Sequence, residues 1–201
     1  MKSAVSNPWT FITLCLVLPV TAYSVMKWYD AYYKMPASYG TVQQISLNGF
    51  RDQHNATAGN ISYGKLTVVN FFFTSCPVIC TRMMKNIKRV HDQYPEDSDI
   101  RFVSISVDPE RDNHDRLLWY VQKMHIKDNG WQLISGNKSD TYILARNEFK
   151  VVAANANDNG EFIHSDKIIL LDAKGTIRGY YSGLEKSAID QLIIDIKKLK
   201  S

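Results

Sequence analysis

The run Thr67-Val-Val-Asn-Phe-Phe-Phe73, followed closely by Cys76-Pro-Val-Ile-Cys80, is the stretch that decides the fold of this chain. A continuous apolar run of this length is typical of a strand buried on both faces of a mainly parallel sheet. Beyond the second cysteine, apolar side chains recur at helical spacing, at Met83, Ile87 and Val90. The stretch therefore predicts a central strand, a turn that carries both cysteines, and a helix.

The cysteine turn falls where open α/β sheets bind their ligands, outside the carboxyl end of a strand. If the first helical turn includes both Cys76 and Cys80, their spacing puts the two sulfurs on one face. The helix N-terminus should then lower the pKa of at least one thiol. Such a pair could be a redox dithiol, a clamp for a soft metal or a structural disulfide. A tetrahedral zinc site is disfavoured, because the third cysteine, Cys15, lies far upstream.

Strand and helix patterns alternate along the rest of the chain. Strand-like runs occupy 100–107 and 131–134, and helical patterns occupy 112–125, 139–149 and 187–201. Two more strands flank the turn Asp172-Ala-Lys-Gly175 and predict a hairpin. The chain has 201 residues, 45% of them apolar, which is enough for one sizeable core. We therefore predict an α/β fold with a thioredoxin-like mixed sheet flanked by helices.

Shorter patterns give further expectations. The segment Val42–Phe50, which contains Asn48-Gly49, predicts a short strand and a tight turn. The polar segment Arg51–Gly64 predicts a surface loop, and Asp112 is the expected N-cap of the helix that follows it in sequence. The net charge of +4 is mild and is not gathered into a lysine- or arginine-rich block, so no nucleic-acid partner is indicated.

The N-terminal segment differs in kind from the rest. Ser3–Met26 contains no charged residue and is long enough to span a bilayer. We therefore predict one transmembrane helix within 1–27, a linker over 28–41 and a folded domain over 42–201. A cleaved signal peptide is the alternative. Because no arginine-rich transit peptide is present, we expect a single-pass protein of a bacterial cytoplasmic membrane, with its soluble domain on the outer face.

Four motifs of the chain occur in an order that resembles a known family. They are Cys76-Pro-Val-Ile-Cys80, Val103-Ser-Ile-Ser-Val-Asp-Pro-Glu-Arg-Asp112, His164-Ser165 and Leu170-Leu-Asp-Ala-Lys-Gly175. Their combination is similar to the Sco/SenC family of membrane-anchored, thioredoxin-like copper proteins. The resemblance covers roughly Gln43–Leu199.

The resemblance implies a function and a ligand set. Proteins of that family bind copper through the two motif cysteines and the histidine before the hairpin, and they help to assemble the copper A centre of cytochrome c oxidase. Carried over, the copper ligands are Cys76, Cys80 and His164, and two sulfurs with one nitrogen suit Cu(I) or Cu(II). The implied partner is the copper-bearing subunit of the oxidase. Because copper needs both thiolates, we also expect a thioredoxin-like reductant of the envelope to reduce the pair before loading.

The chain departs from the family pattern at three positions. Val78 and Ile163 stand where acidic residues are common, and Thr81 stands where a proline is common. These changes leave the ligands in place and bear on copper affinity and partner choice.

A thiol–disulfide oxidoreductase that is anchored in the membrane and reduces cysteines of an envelope protein is the alternative function. General oxidoreductases of the thioredoxin kind carry Cys-x-x-Cys and a cis-proline before the hairpin. Here three residues separate the cysteines, and Val151–Ser182 contains no proline. Copper delivery is therefore favoured.

The remaining histidines are not expected to be ligands. His91, His114 and His125 fall on predicted helices among charged residues, which indicates solvated side chains. His54, in a polar segment, is the one candidate for an accessory ligand. The acidic segment Asp108–Asp112 predicts a turn and a helix cap rather than a site for a hard metal.

Overall fold

The structure is a computed structural model that describes residues 8–33, 35–42, 45, 47–59, 61, 64–94, 99–151 and 165–200. The chain divides into two compact units, Met1–Met35 and Pro36–Ser201. In the first unit, helix α1 spans Pro8–Tyr33, so residues 28–33 of the expected linker are helical. Within it, the 19 residues Phe11–Tyr29 have a mean hydropathy of 1.5 and are long and apolar enough to cross a membrane.

The second unit is built on a mixed sheet. Its strands are β1 (Arg51–Asp52), β2 (Leu66–Phe72), β3 (Ile100–Ser106), β4 (Trp131–Ser135), β5 (Lys167–Leu171) and β6 (Ile177–Ser182). Its helices are α2 (Ile79–His91), α3 (His114–Met124), α4 (Lys138–Ile143), which continues into a π-helical turn over Leu144–Glu148, and α5 (Lys186–Lys200). The order across the described sheet is β1-β4-β3-β2-β5-β6. Strands β2, β3 and β4 run parallel, and β1, β5 and β6 are antiparallel to their neighbours. The predicted α/β fold with its flanking helices is confirmed.

Strand β2 lies at the centre of two hydrophobic cores, and every one of its residues is buried. Alternate side chains of a strand point to opposite faces, so Val68 and Phe72 pack on one side and Val69 and Phe71 on the other. The first side is covered by α2, α3 and α5, and the second by α4 and the segment before β2. The apolar run therefore predicted the strand whose side chains contribute to both hydrophobic cores.

The segment before β2 is more ordered than expected. The turn at Asn48-Gly49 is confirmed by a φ of +90° at Gly49, a conformation that glycine adopts without strain. Beyond it, the predicted surface loop is wrong in part, because β1 pairs with β4 as the edge strand. Gln53 is buried there and its Oε1 accepts the Leu133 N–H at 2.9 Å.

The predicted N-cap of α3 and the predicted solvation of His91 are both wrong. Helix α3 is capped by Asn113, whose side chain accepts the Arg116 N–H. The His91 side chain is buried at the end of α2, with its ring centroid 5.0 Å from Phe102 and 5.2 Å from Trp131. An aromatic pocket in the core, formed by residues distant in sequence, thus buries a histidine that its charged neighbours suggested was exposed.

The start of β5 is tied to helix α2. Because β5 runs antiparallel to β2, it begins at the sheet edge where β2 ends. The carbonyl of Asp166, just before β5, accepts the Gly183 N–H at 2.7 Å, and the Gly183 carbonyl accepts the Asn86 amide at 2.8 Å. These two bonds link the entry to β5, the turn after β6 and α2.

We expect Gly183→Ala to destabilise the fold. An added Cβ would lie 2.5 Å from Met83 Cγ and 3.0 Å from the Asp166 carbonyl oxygen. Overpacking of this kind costs about 1–3 kcal/mol in the free energy of unfolding. Urea unfolding of the full chain in detergent, followed by aromatic circular dichroism, measures it. Gly59→Ala is the control, because a Cβ there meets nothing within 4 Å. An equal loss in both variants would contradict this interpretation.

Candidate metal centre

The two motif cysteines flank the start of α2. The helix begins at Ile79, so Cys80 belongs to it and Cys76 precedes it, which corrects the expectation that both lie in its first turn. The two cysteines nevertheless lie close together, because Cys76 Sγ accepts the Cys80 backbone N–H at 3.3 Å and also interacts with the Cys80 thiol. That N–H is one of the donors that a helix leaves without a partner at its amino end. The Cys76 sulfur therefore caps the helix that carries Cys80.

A buried carboxylate fixes the start of the cysteine loop. Asp112 is fully buried and accepts the Thr74 N–H at 3.0 Å, the Thr74 hydroxyl at 2.5 Å and the Ser106 hydroxyl at 2.6 Å. On its other side, Thr74 Oγ1 accepts Arg116 Nε at 3.0 Å. The loop is thus attached to the end of β3 and to α3 before the first cysteine. Sequence analysis missed this role, since an aspartate just before a helix is most simply interpreted as its cap.

The two thiols differ in access to solvent. Neither forms a disulfide within the described part of the chain; Cys76 is partly exposed and Cys80 is buried. Pro77, Val78 and Ile79, which separate them, are all exposed. A ligand or a partner can therefore approach the pair from the side of Cys76, across an apolar rim.

Burial raises the pKa of the Cys80 thiol to about 12. A backbone hydrogen bond from Phe73 acts in the opposite direction, while the neighbouring Cys76 and the charge of Asp112 reinforce the increase. The helix terminus was expected to lower a thiol pKa, and for Cys80 this expectation is wrong. The reason is that Cys80 points into the core, where loss of hydration outweighs the helix dipole.

The third predicted ligand, His164, lies outside the described residues. Among the residues that the structure does describe, no group of three or more His, Cys, Asp or Glu side chains is placed to hold a metal ion. Ser165 and Asp166, which follow His164 in sequence, are described and lead into β5. Their position at the cysteine edge of the sheet follows from the antiparallel pairing of β5 with β2.

His54 is excluded from the cysteine site, and the acidic segment Asp108–Asp112 forms the turn that the sequence predicted. His54 follows β1 and its Nε2 lies 3.0 Å from Asp128 Oδ2, just before β4. Because β4 is parallel to β2, this pair marks the sheet edge opposite the cysteines. In the acidic segment, the backbone N–H groups of Arg111 and Asp112 donate to the Asp108 carbonyl, so the predicted turn is present.

Comparison with known proteins identifies the family. Residues 49–201 match the family model described as SCO1/SenC. The chain is a member of the SCO1/SenC family. The SCO1 protein homolog of Bacillus subtilis (strain 168) is 26% identical over 136 residues, which is 67% of this chain and 70% of that protein. The mitochondrial SCO2 homolog of Mus musculus is 30% identical over 141 residues, 67% of this chain and 53% of that protein. The SCO1/SenC chain thus spans about half the length of the mouse protein.

Solved structures share the fold of this SCO1/SenC protein. A SCO1/SenC family lipoprotein from Bacillus anthracis str. Ames aligns with a TM-score of 0.70 at 26% identity, covering 84% of this chain and 99% of that one. BsSco, a member of the Sco family of cytochrome c oxidase assembly proteins, aligns with a TM-score of 0.68 at 24% identity, covering 83% and 96%. Arabidopsis thaliana ScoI with copper bound aligns with a TM-score of 0.59 at 23% identity, covering 79% and 99%.

The raised pKa of Cys80 predicts its reactivity toward alkylation. The thiolate is the reacting species, so in Cys76→Ser protein the rate at Cys80 should keep rising about tenfold per pH unit beyond pH 10. In urea the rate of alkylation at Cys80 should instead stop rising with pH near the ordinary thiol pKa of about 8.5. Mass spectrometry after iodoacetamide pulses separates the Cys80 peptide from that of Cys15. A plateau below pH 9 in the folded protein would contradict burial of the thiol.

Proposed function

We propose that this chain is a copper metallochaperone that delivers copper to the copper A centre of a respiratory cytochrome c oxidase. The observation that carries the proposal is the pair of free thiols, Cys76 and Cys80, brought together at the carboxyl end of a central strand in a SCO1/SenC protein. Thiolates are soft ligands that select Cu(I). The Arabidopsis, yeast and Bradyrhizobium japonicum relatives with copper bound, and the oxidase-assembly role stated for BsSco, support the same function here.

His164 is the proposed third ligand. The entry to β5, which begins a few residues after it, lies at the sheet edge where the cysteine loop starts. The Asp166 carbonyl accepts a hydrogen bond from the Gly183 N–H, and the Gly183 carbonyl accepts one from Asn86 on the helix that carries Cys80. These contacts support a short distance between the residues that lead into β5 and the two thiols. An imidazole added to two thiolates gives a donor set that suits both copper oxidation states.

Loading with copper requires removal of protons from the thiols. A metal binds thiolates, so copper must displace the proton that burial keeps on Cys80, and binding releases it to solvent. The pair must also be reduced, since a disulfide offers no thiolate. We propose a thioredoxin-like reductant of the envelope as the partner that maintains this state.

The alternative, a thiol–disulfide reductase, is less well supported. A reductase attacks with a thiolate that exists before its substrate arrives. Cys80 is not that nucleophile, because its pKa is raised to about 12, so the partly exposed Cys76 would have to attack. A metal clamp has no such requirement, since the metal itself drives deprotonation. The three residues between the cysteines, one more than in general oxidoreductases of the thioredoxin kind, are what favours copper binding over reduction of disulfides.

We propose that α1 anchors the protein in a bacterial cytoplasmic membrane and that the copper domain faces outward. The apolar stretch Phe11–Tyr29 supports an anchor by its length and composition. The SCO1/SenC relative from Bacillus anthracis is a lipoprotein, which also supports attachment to a membrane. An outward domain would meet the copper-bearing subunit of the oxidase, the proposed client.

Substitution of each ligand tests the copper site in the full-length chain. Cys76→Ser and Cys80→Ser should each weaken Cu(I) binding by more than about 100-fold. Substitution of a residue that only hydrogen-bonds to a metal ligand already lowers metal affinity about 10–100-fold, and loss of the ligand itself should cost more. His164→Ala should weaken Cu(II) far more than Cu(I), because two thiolates alone can hold Cu(I). Titration against a competing chelator and electron paramagnetic resonance measure the two states.

The control for these variants is His54→Ala, at the opposite edge of the sheet. Its affinity for copper should equal that of the unaltered protein. Full copper occupancy in Cys80→Ser protein would refute the proposed site.

The membrane anchor gives a second test. Protein purified from membranes should retain the residues that precede Val25, and protease added to spheroplasts should digest the copper domain while the anchor remains. Amino-terminal sequencing and immunoblotting report these outcomes. A mature chain that starts near Val25 would show that the segment is a cleaved signal, and a protected domain would show the reverse orientation.

A further inference from the structure

Helix α3 carries an exposed tryptophan that contacts two cations. Trp119 is 40% exposed to solvent. The Arg116 guanidinium carbon lies 3.9 Å from the centroid of its ring, and the Lys123 Nζ lies 4.7 Å from it. Spacings of three and four residues put these side chains on one side of the helix. Cation–π contacts therefore hold the ring in one orientation although it faces solvent.

This side of α3 is turned toward α2. Arg116 Nε donates to Thr74 Oγ1 at 3.0 Å, in the loop that leads into α2. Farther along, Tyr120 of α3 lies beside Thr81 of α2. Lys85 follows Thr81 by one helical turn, so it lies on the same side of α2, and it is exposed. We call the residues that line the junction of the two helices the α2/α3 surface: Lys85, Arg116, Trp119 and Lys123.

The positive charge of the α2/α3 surface is not compensated. In the described part of the chain, no ion pair involves Lys85, Arg116 or Lys123. Asp115, the acidic residue next to Arg116 in sequence, contacts His114 instead, at 3.4 Å. Arg116 also lies in the first turn of α3, where the helix dipole disfavours a cation. The surface therefore attracts carboxylates.

The α2/α3 surface adjoins the cysteine pair. The Thr81 hydroxyl donates to the Cys76 carbonyl at 3.4 Å, so this side of α2 meets the cysteine loop. The apolar rim Pro77–Ile79, which separates the two thiols, is exposed at the same end. A protein that approaches Cys76 across the rim therefore also meets Arg116 and Trp119. Tryptophan and arginine are the residue types that most often dominate the binding energy of protein interfaces.

We propose that the α2/α3 surface docks an acidic segment of the protein that receives copper. Trp119 is its apolar anchor, and the three cations pair with carboxylates of the partner. The inference rests on the proposed function for the identity of this partner. A protein is favoured over an anionic lipid, because the cations surround an exposed tryptophan beside an apolar rim, a combination typical of protein interfaces.

The experiment measures association of the full-length chain, in detergent, with the soluble copper A domain of a bacterial cytochrome c oxidase. Biolayer interferometry gives both rate constants, for the copper-free and the copper-loaded chain. The association rate should fall between about 0.05 M and about 0.5 M salt, because salt screens the attraction. Trp119→Ala should weaken binding about tenfold or more, mainly through faster dissociation.

Reversal of charge tests the cations. Lys85→Glu/Lys123→Glu should lower the association rate about tenfold at low salt, with a smaller difference at high salt. The control is Arg89→Glu/Lys197→Glu, which changes the net charge equally. Both of its residues are exposed, lie in the last turns of α2 and α5, and form no ion pair with a described residue. This control should lower the rate far less.

Ile194→Ala is the matched control for the tryptophan. Ile194 lies on α5 and is 41% exposed, so its removal takes away a similarly exposed apolar side chain at another place. Its affinity for the copper A domain should equal that of the unaltered chain. Cu(I) affinity, measured against a chelator, should be the same in Trp119→Ala, Lys85→Glu/Lys123→Glu and both controls, which shows that the cysteine site is intact.

The outcomes separate the docking surface from the proposed function. The inference is overturned if the unaltered chain does not associate with the copper A domain, or if Trp119→Ala and Lys85→Glu/Lys123→Glu bind it normally. Equal losses in the two charge variants would show general attraction and overturn it as well. So would a loss of binding to phosphatidylglycerol vesicles alone, which would assign the cations to lipid.

Copper titration of the unaltered chain decides the proposed function separately. If that chain binds no copper, the proposed function fails. Association of the copper-free chain with the copper A domain then decides the docking surface alone: weaker binding in Trp119→Ala but not in Ile194→Ala supports it, and equal binding in both overturns it.

Discussion

The cysteine site depends on one buried carboxylate. Asp112 has no exposure to solvent, and a charge in that position is tolerated only when hydrogen bonds replace its hydration. Thr74 and Ser106 supply three of them, from the ends of β2 and β3. The carboxylate thereby joins two strands and the start of α3 at one point. Because the loop leaves the sheet from that point, the position of Cys76 is set before any ligand arrives.

A hydrogen bond to the Cys76 sulfur holds the end of the cysteine loop that leads into α2. Cys76 Sγ accepts the Cys80 N–H, so the two thiols are kept near each other by the helix they flank. Burial keeps the proton on Cys80, so this thiol is held in position but is not ionised. A buried thiol of this kind is a weak nucleophile without a metal and becomes a thiolate when a soft ion displaces its proton. This combination is suited to holding copper.

Much of the fold was predictable because its signals are local. The apolar run of β2, the helical spacing of Met83, Ile87 and Val90, the hairpin around Asp172–Gly175 and the apolar N-terminal helix each reflect a constraint that acts within a few residues. Motif order added the family, which the match over residues 49–201 confirmed. Periodicity and turn chemistry therefore determined the elements and the position of the cysteines, and the resemblance carried by the motifs indicated the class of protein.

Contacts between residues distant in sequence decided the rest. Asp112 does not cap α3, because Thr74 and Ser106 compete for its carboxylate, and Asn113 takes its place. The pKa of Cys80 is raised rather than lowered, because the core that surrounds it removes more hydration than the helix end can offset. Sequence alone placed two thiols in one turn; their protonation and their neighbours depend on burial, which only the tertiary structure determines.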